Sequence, residues 1–85
     1  YAVLLMMFAQ VSGLEAGELV HVIADCHIYD RHVPIVEELL KREPFAAPKL
    51  WMDPEVTDFY AFTKNSFRLE GYQAHPLDQK IPVAV

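Results

Sequence analysis

At 85 residues the chain is long enough for one small domain at most, yet 53% of its residues are hydrophobic, a high share for that size. A formal net charge of -5, with no cluster of Lys and Arg, argues against nucleic acid as a main partner. A single Cys rules out a disulfide framework and fits a reducing, cytoplasmic setting.

The chain opens inside an apolar run, Tyr1-Ala2-Val3-Leu4-Leu5-Met6-Met7-Phe8-Ala9, with no initiator Met. Nine uninterrupted apolar residues are too few to cross a membrane, and no basic flank or cleavage site marks a signal peptide. Tyr1 to Ser12 reads as a helix that is apolar all round, of the kind that is buried on most sides, closed by Gly13. The hydrophobic excess calls for a cover, either a second copy or a further part of the same chain.

Leu19 to Tyr29 alternates like a strand. Leu19, His21, Ile23, Asp25, His27 and Tyr29 fall on one face; Val20, Val22, Ala24, Cys26 and Ile28 fall on the other, apolar face. The first face turns polar at its C-terminal end and suits the wall of a wet cavity. His27 and Tyr29 then stand side by side, roughly 7 Å apart. An imidazole and a phenol can each donate or accept, so the pair can grip one ligand hydroxyl. Taken alone, the plainer reading is a structural His and Tyr satisfied by nearby backbone. A metal site is not expected: His21 and His27 would lie about 20 Å apart, and no convincing third ligand accompanies them. Cys26, on the apolar face, reads as an inert small hydrophobe.

Asp30 is positioned to cap a helix from about Arg31 to Arg42, with Pro34 in its first turn. Val36, Leu39, Leu40 and Ile35 would form its apolar stripe, and Glu37 and Lys41 an i,i+4 pair. Pro44 stops it. Lys49 to Met52 is predicted as a short strand, Asp53-Pro54-Glu55 as the start of a short helix through Val56, Phe59, Tyr60 and Phe62, and Phe67 to Glu70 as a last strand ended by Gly71. Phe59, Tyr60, Phe62, Phe67 and Tyr72 belong to a core rather than to a base-stacking surface. The tail, Ile81-Pro82-Val83-Ala84-Val85, is apolar; composition alone favours simple packing over a lid.

Several motifs together resemble the thymidylate synthase family. They are Tyr1-Ala2-x-Leu4 with Ala9-Gln10-Val11, Gly13-Leu14-x-x-Gly17, Asp25-x-His27-x-Tyr29-x-x-His32, Arg42-Glu43-Pro44, Pro48-Lys49-Leu50, Glu70-Gly71-Tyr72-x-x-His75-Pro76 and Pro82-Val83-Ala84-Val85. The matches run through the whole chain in the family's order and cover only the family's C-terminal third. The resemblance implies an α/β (α+β) fold, with a buried helix and strands of a large mixed sheet. Residues 1–85 would be a C-terminal fragment of a single domain whose N-terminal two thirds are absent. It also implies reductive methylation of dUMP to dTMP, with 5,10-methylenetetrahydrofolate giving both carbon and hydride, in a cytoplasmic homodimer without a metal.

On that resemblance His27 and Tyr29 bind the 3′-hydroxyl of the dUMP ribose. Val83, Ala84 and Val85 close over the folate, which raises the lid reading of the tail above packing. The family's Cys nucleophile, in a Pro-Cys-His motif, lies upstream of Tyr1, as do its phosphate-binding arginines and its base-reading Asn. Cys26 cannot inherit the nucleophile's role, and the chain alone is expected to be inactive. Phe45-Ala46 stands where the family often has Arg-Pro, and Ala74 where it often has Pro. Two other readings stay open: a non-catalytic remnant or interaction module of the fold, and a pyrimidine hydroxymethylase of the same superfamily.

Overall fold

A computed structural model describes residues 1–83. They fall into two compact units, one made of Tyr1–His21 and Ala47–Tyr72, the other of Val22–Ala46 and the chain from Gln73 onward.

In the first unit, helix α1 spans Ala2–Ser12. A run of Ala, Leu and Met with two Val is a good helix former, and Gly13 ends it at φ 70°, donating its N–H to Ala9 and Gln10 carbonyls. Among the described residues, none of its side chains is buried. Tyr1, Val3, Leu4, Met6 and Phe8 all lie exposed, and an apolar surface of this extent marks an interaction face.

Strands β1 (Lys49–Met52) and β2 (Phe67–Glu70) have the predicted bounds. They pair antiparallel, with Lys49 opposite Glu70, Leu50 opposite Leu69, Trp51 opposite Arg68 and Met52 opposite Phe67. Residues directly opposite share a face, so Leu50, Leu69, Met52 and Phe67 form an apolar side. On the other side Arg68 Nε lies 3.6 Å from Glu70 Oε1, and the Arg68 guanidinium sits 4.3 Å from the Trp51 ring centre.

The helix expected from Asp53 does not form. Two side-chain oxygens take backbone N–H groups first: Asp53 Oδ1 accepts from Glu55 and Asp58 Oδ1 from Tyr60, both at 3.0 Å. Local carboxylate turns of this sort compete with the helix ladder. The segment therefore breaks into two 3₁₀ turns, Phe59–Ala61 and Lys64–Ser66. Ser66 is buried, and its hydroxyl accepts from the Thr63 N–H.

Phe8 of α1 stacks on Phe59 with ring centres 4.9 Å apart; Phe59 meets Phe62, and Phe62 stacks on Phe67. Three of the five aromatics assigned to a core thus do cluster. Tyr60 touches the edge of Phe59 at 5.6 Å but is 92% exposed, and Tyr72 is exposed as well, so neither joins a core. Gln10 fastens the helix to the turn below it, its Nε2 donating to the Asp53 carbonyl at 2.8 Å and the Val56 carbonyl at 2.9 Å. Gln10→Ala removes both bonds at a part-buried position. Hydrogen exchange at the Val56 N–H should speed up by about tenfold or more, the equivalent of roughly 1–3 kcal/mol of local stability.

In the second unit a 3₁₀ turn, Asp30–His32, leads into helix α2, Val33–Leu40, with Pro34 in its first turn. Asp30 does not cap with its side chain. It lies inside the turn, and its backbone carbonyl accepts from Val33. The apolar stripe is centred on Ile35, 8% exposed and the one buried hydrophobic residue among those described; Leu39 and Leu40 remain exposed. Lys41 pairs with Glu38 at 3.7 Å rather than with Glu37. Both side chains are exposed, so the pair contributes little.

The Leu19–Tyr29 run forms no strand with any described residue, and a turn at Ala24–Asp25 interrupts it. Alternation suits a strand, but a strand exists only through a partner's hydrogen bonds. Cys26 is exposed here rather than set against apolar neighbours. No helix among the described residues is long and apolar enough to cross a membrane.

Candidate functional site

The site is built on the stretch that follows the Ala24–Asp25 turn. Tyr29 sits in extended backbone, φ -68° and ψ 142°, immediately before the 3₁₀ turn. That turn is closed by the His32 N–H donating to the Tyr29 carbonyl at 2.8 Å. His27 and Tyr29 face one another edge to face, with ring centres 5.1 Å apart and planes at 84°. Tyr29 makes a second edge contact with His32, at 5.6 Å.

The imidazole of His27 is oriented by Asp25. Its Nδ1 lies 3.1 Å from the Asp25 carbonyl oxygen and 3.3 Å from Asp25 Oδ1. Both are acceptors, so Nδ1 carries the proton and donates. In the neutral ring Nε2 is then a lone-pair acceptor. The Tyr29 hydroxyl makes no hydrogen bond among the described residues and can donate outward. One acceptor and one donor, on a half-exposed pair, match a ligand hydroxyl that donates to His27 Nε2 and accepts from the Tyr29 phenol.

The C-terminal arm folds back onto the same turn. His32 Nε2 lies 2.8 Å from the Pro82 carbonyl oxygen, and Arg31 Nη1 donates to the Val83 carbonyl at 3.3 Å. Nearer the start of the arm, His75 Nε2 lies 2.9 Å from the Glu43 carbonyl oxygen, and its ring stacks on Phe45 with centres 4.5 Å apart. Of the tail residues singled out in the sequence, Val83 is 81% exposed and is held by its backbone; Ala84 and Val85 lie outside the described residues.

Among the described residues, no group of three or more His, Cys, Asp or Glu stands close enough to hold a metal ion. Three partnerships escaped the sequence reading. Asp25 was two residues from His27 and legible as a neighbour that could set its tautomer. His75 and Glu43 each lie in a motif already noted, but nothing joined the two motifs. The contacts of Arg31 and His32 with the tail leave no local signal, because 52 and 50 residues separate the partners.

Comparison with known proteins gives the wider frame. The family model of thymidylate synthase matches residues 1–85. A thymidylate synthase of Bacillus mojavensis is 51% identical over 73 residues, covering 86% of this chain and 26% of that protein. A thymidylate synthase of Bacillus phage phi3T is 49% identical over 73 residues, again covering 86% of this chain and 26% of that protein. Among solved structures, a thermostable thymidylate synthase A from Bacillus subtilis matches with a TM-score of 0.91 at 47% identity, over 98% of this chain and 30% of that one. The chain spans about a quarter to a third of the length of the relatives it matches. The order of its motifs, its α+β elements and the family match over its full length agree: the chain belongs to the thymidylate synthase family.

Proposed function

We propose that residues 1–85 act as the C-terminal part of a single thymidylate synthase domain, contacting the dUMP ribose and the folate. The reaction is the reductive methylation of dUMP to dTMP, in which 5,10-methylenetetrahydrofolate gives both the one-carbon unit and the hydride. The observation that supports this best is the His27–Tyr29 pair, an acceptor and a donor side by side, with the imidazole oriented by Asp25. A ribose 3′-hydroxyl, which both donates and accepts, can be satisfied by that combination. Val83, Ala84 and Val85 serve as the closing segment over the folate, keeping water from the reactive intermediate.

The thiolate that attacks the pyrimidine ring comes from the upstream portion of the family fold, not from Cys26. The apolar α1, unburied here, is the surface on which that portion packs. The working form is a cytoplasmic homodimer that needs no metal.

The test joins this chain to the upstream portion of the Bacillus subtilis enzyme. The joined protein should bind dUMP and form dTMP while oxidising the folate, which is read as a rise in dihydrofolate absorbance; the 85 residues alone should do neither. A folded joined protein that binds no dUMP would show a non-catalytic remnant. Hydroxymethylation without folate oxidation would show the hydroxymethylase.

A further inference from the structure

We propose that Arg31 and His32 are positioning residues that latch the C-terminal arm, through its main chain, to the turn that carries the ribose-gripping pair. The inference rests on the reading above of that arm as the segment that closes over folate.

The geometry is specific. A carbonyl oxygen can only accept, so His32 Nε2 carries the proton and donates it to Pro82 at 2.8 Å. Arg31 adds a donor to the next carbonyl, that of Val83. The grip is on two consecutive backbone oxygens and does not depend on which side chains the tail carries. Pro82 suits the held position, since its ring fixes φ and limits how far the following carbonyl can wander.

The latch itself is braced. The His32 N–H is tied to the Tyr29 carbonyl, and the His32 ring meets the edge of the Tyr29 ring. These contacts hold the His32 ring from the side away from the tail, and the backbone bond to Tyr29 survives loss of the ring. The other end of the arm is held separately by His75, bonded to the Glu43 carbonyl and stacked on Phe45. With its near end fixed at His75, the arm loses less conformational freedom when Arg31 and His32 engage Pro82 and Val83.

The test uses the joined enzyme described above and reads the tail directly. Carboxypeptidase digestion without any substrate should release Val85, Ala84 and Val83 about five- to tenfold faster from His32→Ala than from the parent, as expected for loss of one net hydrogen bond. His32→Gln keeps an amide donor at similar reach and should return the rate to within about twofold of the parent. In turnover, His32→Ala should raise the KM for methylenetetrahydrofolate and lower kcat while the dUMP Kd stays within about twofold. Equal trimming of all three proteins would overturn the latch. So would His32→Gln trimming as fast as His32→Ala, because the donor would then be irrelevant. Faster trimming of His32→Ala with rescue by His32→Gln, but an unchanged folate KM, would leave the latch standing and instead remove the folate role of the arm.

Discussion

Replacing His27 with Ala and Tyr29 with Phe together is expected to weaken dUMP binding to the joined enzyme by about ten- to a hundredfold. The two changes remove one acceptor and one donor from a single ligand hydroxyl, and loss of both bonds is worth on the order of 1–3 kcal/mol. The substitutions differ in what they spare. Tyr29→Phe keeps the ring, and with it the edge contacts to His27 and His32, and removes only the hydroxyl. His27→Ala also deletes the group that Asp25 orients.

A nucleotide lacking the 3′-hydroxyl separates ribose recognition from general loosening. The parent should bind the 3′-deoxy analogue about as weakly as the double variant binds dUMP. The double variant should bind the two nucleotides nearly alike, since it has nothing left with which to tell them apart. Calorimetry with both ligands makes the comparison. An unchanged dUMP affinity in the double variant would mean that the pair does not hold the ribose, and that Asp25, His27 and Tyr29 form a structural cluster.

Deleting Val85 from the joined enzyme should lower kcat by about a hundredfold and move the dUMP Kd by no more than about threefold. Misplacing a group that closes a site by about 1 Å can cost on the order of 100-fold in rate without touching the ground-state contacts of a substrate bound elsewhere. The hydrogen bonds from His32 to Pro82 and from Arg31 to Val83 do not involve Val85, so the deletion would leave both in place. Steady-state turnover beside equilibrium dUMP binding reads the two quantities apart. Parallel losses in both would assign the tail to general packing instead of closure.

Particular elements show where sequence reasoning reaches and where it stops. Phe67–Glu70 was legible as a short alternating run ended by Gly71, and Lys49–Met52 as a short, mostly apolar run after Pro48. Helix α1 was legible because its residues favour the helix and Gly13 supplies the left-handed stop. The aromatic spacing after Asp53 misled, because helical periodicity says nothing of side-chain oxygens that claim the backbone N–H groups first. Leu19–Tyr29 misled for the opposite reason. Its alternation is genuine, but a strand depends on a partner, and no described residue pairs with it.

The candidate site divides the same way. Residue type and spacing picked out His27 and Tyr29, and the family's motifs supplied a ribose as what they would hold. The protonated nitrogen of His27 emerged only when the backbone turned Asp25 towards the ring. The fastening of the arm at His75 and at Arg31 and His32 belongs wholly to the tertiary structure.

What the sequence by itself determined about this protein was its family, the end of α1 at Gly13, the bounds of both strands, and two residues suited to a hydroxyl. Those features are written in residue types and in hydrogen bonds that close within a few positions. The tertiary structure alone decided which run finds a strand partner, which nitrogen of His27 meets Asp25, and what the backbone of Pro82 and Val83 touches. Each of those depends on groups brought together from distant positions, and loop closure over 32 to 52 residues leaves no periodic trace in the chain.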